Sequence, residues 1–454
     1  MSARSILTNL SKITLTNVQN KMKISIVANS VFTFAFFFAA LSLTPNCVAM
    51  QETSKTGDAK TDQESESDLS VIQQLKKFLA DSELNGLSEA EFANTPLTKE
   101  EFAKAKELVW ASHKSSVREN REEEWTNKTI EMDGHSMPFD FKVFGEKPEN
   151  GRSLFISMHG GGGTAKRTND GQWRNQITLY TPEEGVYLAP RAPTDSWNMW
   201  HRDHIDPMFA RIISDAIVFE DVDPNRIYIM GYSAGGDGVY QLAPRMADQL
   251  AAAAMMAGHP NGANPIGLRN IGFTLHMGGK DRAYKRNEIA RKWKTRLAEL
   301  AEADPDGYKH EVTIHEQHGH WMQKDDAVAV PWMSEFTRNP FPEKVVWAQF
   351  GVKHDRFYWV AVNDENMEAG TTVVATRKGQ NISIEEAEGL SELTIRFNDE
   401  MVDLDQPVTI TMGEKELFSG KLERNIKTLA DTLLDRGDPV AVYSAEVEVK
   451  IDAS

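Results

Sequence analysis

Residues 226–236 read Arg-Ile-Tyr-Ile-Met-Gly-Tyr-Ser-Ala-Gly-Gly. An apolar run of this kind predicts a buried strand, and it leads directly into Gly231-Tyr232-Ser233-Ala234-Gly235. Glycines flank such a serine because the strand and the following helix approach each other too closely for a Cβ atom. We therefore expect Ser233 to be held in a strained turn that faces a cleft. The alternative is a glycine-rich turn that carries an ordinary serine.

Strands and helices are predicted to alternate on both sides of this turn. Near the start of the region, an Asp-Gly pair at 133–134 lies between two runs of alternating polarity, which is typical of a hairpin. This alternation indicates an α/β fold with a mainly parallel sheet and helices on both faces. The predicted strands are 128–132, 137–144, 153–158, 185–189, 226–230, 251–256, 272–277 and 309–315, and the predicted helices are 207–219, 236–248 and 285–303.

The N-terminal segment is typical of a secretory signal. Lysines at 21 and 23 precede an apolar run over 24–43, and small residues follow up to Ala49, after which we expect cleavage. An uncleaved membrane anchor is the alternative, because the run approaches the roughly 20 residues that span a bilayer. Residues 1–49 are therefore predicted to be a signal peptide of a secreted or periplasmic protein, with no stable membrane anchor after cleavage.

Four further segments are predicted after the signal peptide. Residues 50–70 are polar and acidic, so we expect a disordered linker. Residues 71–121 show helical spacing of apolar residues, including a capping-box pattern at Thr98. The alternating α/β region covers 122–340. Residues 343–454 contain short predicted strands and one helix, which indicates a β-rich C-terminal domain.

Composition excludes several classes of function. The 454 residues include 67 acidic and 50 basic side chains, for a net charge of -17. This charge disfavours binding to nucleic acid or to anionic lipid. The single cysteine, Cys47, lies in the predicted signal peptide. We therefore expect no disulfide, no thiolate metal site and no cysteine nucleophile in the mature chain.

A second glycine-rich stretch, His159 to Gly163, follows the predicted strand over 153–158. Glycines at a strand end can turn backbone N–H groups towards the negative oxygen of a tetrahedral intermediate, together with the amide of Ala234. A phosphate-binding loop is the alternative, but the lysine and hydroxyl of a Walker motif are missing. The sequence therefore favours an oxyanion hole.

A serine nucleophile needs a base, and the base needs an orienting carboxylate. Asp281 follows the predicted strand over 272–277, and His320 follows the one over 309–315. Both residues therefore fall at the carboxyl edge of a parallel sheet, where catalytic groups gather. His318 is the alternative base, and a cap for the following helix is the alternative role of Asp281.

Metal binding is a weaker alternative. No carboxylate at ligand spacing accompanies the two histidine groups, and Phe92 replaces the bidentate glutamate that a calcium loop starting at Asp81 would need. We therefore expect no metal. The histidine groups are His315, His318 and His320, and His201 with His204.

Two tryptophans are candidate substrate contacts. Trp197 and Trp200 follow the predicted strand over 185–189, on the side of the sheet where the nucleophile is expected. There they would line the substrate cleft and contact an aromatic or sugar-linked acyl group. The alternative is that both belong to the core.

Together these motifs resemble the α/β-hydrolase superfamily. The resemblance covers about residues 125–338 and depends on the 231–235 turn, the 159–163 loop and the chain order Ser, Asp, His. Within the superfamily, the sequence is most similar to secreted esterases of the polyhydroxybutyrate-depolymerase and feruloyl-esterase branch, which adjoins prolyl-oligopeptidase-like peptidases. The chain lacks the loop cysteine and the disulfides that are common in such depolymerases. This difference argues against a polymer substrate more than it argues against ester hydrolysis.

The resemblance implies that Ser233 is the nucleophile, His320 the general base and Asp281 its orienting residue. The implied enzyme is a secreted serine carboxylesterase that acts on a small-molecule or polymer-linked ester and needs no cofactor. A serine peptidase on the same fold and a non-catalytic carbohydrate- or surface-binding protein are the alternatives, and the oligomeric state is left open. The implied oxyanion-hole donors are the amides of Ala234 and of Gly161 or Gly162.

Overall fold

Two capped helices open the part of the chain that the computed structural model describes, residues 69–362 and 370–451. Helix α1 (Val71–Asp81) follows Ser70, and α2 (Lys99–Thr126) follows Thr98. The predicted capping box is present: the Thr98 hydroxyl accepts from the N–H of Glu101, whose carboxylate accepts from the N–H of Thr98. Two short 3₁₀ turns, Leu84–Glu89 and Glu91–Asn94, connect the helices. Helix α2 continues past residue 121 because the polar sequence up to Thr126 consists mostly of good helix formers.

A sheet of eight strands lies at the centre of the fold. Its outer two strands on one side form the predicted hairpin, the next pairing is antiparallel, and the remaining six strands are parallel. The predicted α/β fold with a mainly parallel sheet is therefore confirmed. The strands are β1 (Thr129–Met132), β2 (His135–Phe144), β3 (Arg152–Met158), β4 (Gly185–Pro190), β5 (Val222–Tyr232), β6 (Ala252–Met256), β7 (Gly272–Gly278) and β8 (His310–His315), in the spatial order β1-β2-β4-β3-β5-β6-β7-β8.

Alternate residues of the central strands enter two separate buried clusters, because successive side chains point to opposite faces of a sheet. In β3, Leu154 and Ile156 belong to one cluster and Phe155 to the other. Five helices accompany the sheet: α3 (Lys166–Gln176), α4 (Ile205–Phe219), α5 (Ala234–Arg245), α6 (Arg286–Ala303) and α7 (Ala329–Ser334). Helices α4, α5 and α6 contribute to the first cluster and α7 to the second, so both faces are covered.

The C-terminal region forms two further sheets and one helix. It shares the first buried cluster with the central sheet, through residues such as Trp347 and Trp359. The five-stranded sheet has the order β16-β15-β13-β12-β9 and the four-stranded sheet the order β10-β11-β14-β17. These elements are β9 (Lys344–Ala348), β10 (Arg356–Phe357), β11 (Val360–Ala361), β12 (Thr372–Lys378), β13 (Asn381–Ala387), β14 (Glu392–Phe397), β15 (Val408–Met412), β16 (Lys415–Gly420), α8 (Ile426–Arg436) and β17 (Ala445–Lys450).

Helix α8 connects this region to the N-terminal helices. Its residues Leu429 and Leu433 share a third buried cluster with Leu75 of α1 and with Phe102 and Val109 of α2. The two ends of the described chain are therefore packed against each other.

None of the helices in the described residues is long and apolar enough to cross a membrane. The predicted signal peptide (1–49) and nearly all of the predicted linker (50–70) lie outside the described residues.

Candidate active site

The turn that carries Ser233 joins β5 directly to α5. Ser233 has φ 58° and ψ −119°, a conformation that costs a residue with a side chain roughly 1–3 kcal/mol. Two hydrogen bonds hold it: its N–H donates to the carbonyl of Met256 and its carbonyl accepts from the N–H of Asp237, each at 2.9 Å. Gly235 is required because a Cβ atom there would lie 2.1 Å from the carbonyl oxygen of Met158. This is the strained serine turn that the sequence predicts.

A line of hydrogen bonds joins Ser233, His320 and Asp281. Nε2 of His320 lies 2.9 Å from Oγ of Ser233, and Nδ1 lies 2.6 Å from Oδ2 of Asp281. A carboxylate can only accept, so Nδ1 carries the proton and Nε2 is left to accept from the serine hydroxyl. The Asp281 side chain is 2% exposed and the imidazole 43% exposed. The imidazole of His320 is therefore accessible from solvent, while the carboxylate of Asp281 is shielded from water.

Tyr232 ties the serine turn to the loop that carries His320. Its hydroxyl donates to the carbonyl of His320 at 2.6 Å and accepts from the N–H of Met322 at 3.0 Å. His318 lies elsewhere on the same loop, where its Nε2 is 3.4 Å from Oδ2 of Asp325. Of the two candidate bases, His320 is thus the one that reaches Ser233.

The glycine loop lies against the serine turn, and its amides are not equivalent. A Cβ atom at Gly160 would lie 3.2 Å from Cβ of Ser233. The N–H of Gly162 donates to Oδ1 of Asn169 at 2.9 Å, and the N–H of Gly163 donates to the carbonyl of Asp195 at 2.8 Å. Within the described residues, the amide of Gly161 has no such acceptor. Gly161, Gly162 and Gly163 have φ values of 106°, 76° and 61°.

Ala234 supplies the second candidate donor. It is the first residue of α5, and the first amides of a helix have no partner within the helix. The positive end of the helix dipole lies at the same place. The amide of Ala234 is therefore suited to a negatively charged oxygen next to Ser233.

Asn169 fixes the glycine loop, and sequence reasoning missed it. It is fully buried on α3, a helix that was not predicted because its sequence is almost entirely polar. Besides accepting from Gly162, its amide donates to Oδ1 of Asp195 at 2.8 Å, and Arg191 donates to the same oxygen at 2.5 Å. Partial burial raises the pKa of Asp195, but these hydrogen bonds outweigh it and hold the pKa below its ordinary value.

His159 is a neutral side chain that holds the glycine loop in place through hydrogen bonds. Its Nε2 accepts from the N–H of Ala192 at 3.1 Å, so the proton is on Nδ1, which donates to the carbonyl of Gly160 at 2.6 Å. Burial lowers the pKa of His159 to about 4. Trp200 is buried next to it, and its indole N–H donates to the carbonyl of His159 at 3.0 Å. The structure thus corrects the prediction for Trp200, which belongs to the core and not to the substrate cleft.

A cavity of about 340 Å³ lies beside the turn that carries Ser233. Its walls include Gly161, Gly162, Ala234, Trp197 and Arg286. Trp197 therefore borders this cavity, and its contact with a substrate stays a prediction. Three other cavities in the described part of the chain are larger, at about 630, 630 and 940 Å³, but none of them is lined by the 159–163 loop or by Ala234.

Three exposed aromatic side chains surround this site. Trp197 is 62% exposed, Tyr284 76% and Trp321 49%. Trp197 and Tyr284 line the cavity, and Trp321 follows His320 in the chain and packs its ring 5.5 Å from that of Tyr232. Exposed large apolar side chains concentrated in one place mark a binding surface.

Comparisons with known proteins reveal partial structural neighbours. No family model matches the sequence, and no curated protein has a significantly similar sequence. Solved structures that align with the chain include a thermostable esterase (22% identity, 46% of this chain, 62% of that chain, TM-score 0.35). Thermogutta terrifontis esterase 2 (17% identity, 45% of this chain, 89% of that chain, TM-score 0.32) and the feruloyl esterase module from Clostridium thermocellum (13% identity, 46% of this chain, 86% of that chain, TM-score 0.34) also align.

These alignments cover less than half of this chain, and the chain covers less than two thirds of the thermostable esterase. The fold is therefore assigned on the sheet order and on the strand-serine-helix turn at Ser233. On these features the chain has the α/β-hydrolase fold, and it is similar to esterases that share it.

Proposed function

We propose that this chain is a secreted serine hydrolase of carboxylic esters. The observation that carries the proposal is the continuous hydrogen-bonded line from Ser233 Oγ through His320 to the buried Asp281, at 2.9 and 2.6 Å. This constellation activates a serine for acyl transfer on several unrelated folds, and it is recognised by geometry.

In the proposed reaction, Ser233 attacks the carbonyl carbon of the ester while His320 takes its proton. His320 then returns the proton to the leaving alcohol, which gives an acyl-enzyme. Water then enters, gives a proton to the same histidine and attacks the acyl carbon. As this second intermediate collapses, His320 returns the proton to Ser233 Oγ and the acid is released. Asp281 keeps the imidazole in the required tautomer and stabilises its charge while it is protonated.

The negative oxygen of each tetrahedral intermediate would be bound by the amides of Gly161 and Ala234. The sequence leaves Gly161 and Gly162 equivalent, but the amide of Gly162 is occupied by Asn169. One such donor contributes roughly 10²- to 10³-fold in kcat. Asn169 would then act as a positioning residue, because it anchors the peptide next to the one that carries the Gly161 N–H.

The walls of the cavity support a substrate with a flat ring and polar oxygens. The exposed rings of Trp197 and Tyr284 can stack on an aromatic acyl group or on a sugar. Arg286 stacks on Tyr284, with its guanidinium carbon 4.9 Å from the ring centre. Its Nη1 also lies 4.0 Å from Oδ1 of Asp281, so this cation lies beside the carboxylate of the proposed triad.

The test is turnover of a substrate panel by the purified chain and two variants. The panel contains short-chain aryl esters, methyl ferulate, acetylated sugars and aminoacyl anilides. Ser233→Ala should reduce ester turnover by at least about 10³-fold. Ser115→Ala, which changes an exposed serine on α2, should leave turnover unchanged.

Either of two results would contradict the proposal. Ester turnover that survives Ser233→Ala would place the nucleophile elsewhere. Hydrolysis of anilides in preference to all esters would assign the chain to the serine peptidases. Among the esters, the preferred acyl group would identify the substrate class.

A further inference from the structure

A second cluster of side chains lies on the loop between β8 and α7. His315 ends β8, His318 follows it in a turn, and Asp325 begins the short 3₁₀ turn before α7. One potential ligand atom of each residue lies within 4.8 Å of those of the other two. The cluster is separate from the triad, since the imidazole of His320 is bound to Ser233 and Asp281.

The spacing suits a tetrahedral metal ion. Nε2 of His318 and Oδ2 of Asp325 are 3.4 Å apart, and two ligands at about 2.1 Å from a tetrahedral ion are themselves about 3.4 Å apart. Two imidazole nitrogens and one carboxylate oxygen are the ligands of zinc and neighbouring transition metals, whereas calcium and magnesium take oxygen ligands. Water would occupy the fourth position.

The neighbouring strand supplies the outer partner that a metal-binding histidine needs. Nε2 of His315 lies 3.2 Å from Nδ1 of His276 on β7, and Nε2 of His276 lies 3.0 Å from Oγ1 of Thr274. His276 and Thr274 are both buried. With Nε2 of His315 hydrogen-bonded, Nδ1 is the nitrogen left for a metal, and the partner fixes the orientation of the ring.

A buried carboxylate next to the cluster gives independent support. Asp326 is fully buried and interacts electrostatically with His315. Tyr180 donates to its Oδ2, whereas its Oδ1 has no partner in the described residues. A buried carboxylate oxygen without a partner is costly, and a cation at the adjacent cluster would offset part of that cost.

We propose that His315, His318 and Asp325 bind one divalent transition-metal ion, with zinc as the main candidate, and that the ion stabilises the loop carrying His320. The site links residue 315 to residue 325, so bound metal closes the segment that contains the catalytic histidine. The ion is a structural element here, because none of its ligands contacts Ser233. Metal binding itself does not depend on the proposed esterase function, and only the effect on catalysis does.

The test is a titration of the chelator-treated chain with ZnCl₂, followed by calorimetry and thermal unfolding. One equivalent should bind and raise the midpoint of unfolding. Co²⁺ in place of Zn²⁺ should give the visible absorption of a tetrahedral site. His318→Ala and Asp325→Ala should each weaken binding by more than about 100-fold, because each removes one of the three protein ligands. His310→Gln, which changes a histidine at the start of β8, should bind as the unaltered chain does.

The same titration is made on Ser233→Ala, so that its result is independent of any esterase activity. The proposed metal site would be refuted if zinc did not bind stoichiometrically, or if binding survived both ligand substitutions. Stoichiometric binding without a rise in the unfolding midpoint would overturn the role of the ion in the loop.

Discussion

Asn169→Ala is the most informative perturbation of the proposed oxyanion hole, because it acts through one side chain that contacts no substrate in the proposed reaction. The amide makes hydrogen bonds to Gly162 at 2.9 Å, to the Thr164 hydroxyl at 3.2 Å and to Asp195 at 2.8 Å. A neutral hydrogen bond contributes about 1 kcal/mol and one to a charged group about 2. Water can replace part of the lost bonds to Asp195 and Thr164, because both side chains are accessible to solvent. We therefore expect the free energy of unfolding to decrease by about 2–4 kcal/mol.

The expected effect on catalysis is larger than the effect on substrate binding. Without Asn169, the peptide between Gly161 and Gly162 loses its anchor and can rotate about the Cα atom of Gly161, which loosens the adjacent peptide that carries the Gly161 N–H. Full loss of one oxyanion donor costs roughly 10²- to 10³-fold, so a partial loss predicts that kcat falls about 10- to 100-fold. KM should change less than about threefold, because the donor acts mainly in the transition state.

The assay is steady-state hydrolysis of an aryl ester together with urea denaturation. Asn175→Ala is the matched control, since Asn175 is exposed on the same helix, and it should preserve both kcat and stability. Unchanged kcat in a folded Asn169→Ala variant would refute the reasoning that this side chain positions an oxyanion donor. A rise in KM with unchanged kcat would do so as well, because it would assign Asn169 to substrate binding.

Three further predictions concern the triad, the cleft and the loop. Asp281→Asn should lower kcat by about 10³- to 10⁴-fold with little change in stability, because the imidazole loses its required tautomer. If the variant and the unaltered chain had the same kcat, the proposed role of Asp281 would be contradicted. Trp197→Ala should raise KM for aromatic esters at an unchanged unfolding midpoint, since the ring is exposed, and equal KM values would exclude stacking. Burial holds the pKa of His159 at about 4 in the folded chain, against 6.5 as its ordinary value. As the pH falls from 6.5 to about 4, the unfolded chain takes up this proton first, so the free energy of unfolding should decrease by about 3 kcal/mol from this residue. Urea denaturation of the unaltered chain and of His159→Gln measures this, and identical pH profiles would contradict a buried neutral imidazole.

The sequence predicts the strands around Ser233 well because they are apolar runs bounded by glycines. The parallel strands β5, β6 and β7 differ from their predicted limits mainly at the ends, with β5 starting four residues earlier, at Val222. Helix α3 was not predicted because its residues are almost all polar, so its sequence shows no helical spacing of apolar residues. Its contacts with the rest of the chain include side-chain hydrogen bonds, such as those of Asn169. Asn169 was missed for the same reason.

In the candidate site, too, some features can be predicted from the sequence and others cannot. Ser233, Asp281 and His320 can be located from strand ends and flanking glycines, because those features follow from local backbone geometry. The distinction between Gly161 and Gly162, and the burial of Trp200, depend on side chains that are distant in sequence. Likewise, the sequence alone does not bring Asp325 to His315 and His318, since Asp325 lies ten positions after His315 and the fold of the loop places them together.

The most direct test of the central claim is to identify the residue that reacts with an alkyl fluorophosphonate, by mass spectrometry of the labelled and digested chain. We predict one label per chain, on Ser233, lost in Ser233→Ala and formed much more slowly in His320→Ala. Ester hydrolysis by a chain that remains unlabelled at Ser233, or that is labelled at another residue, would contradict the account.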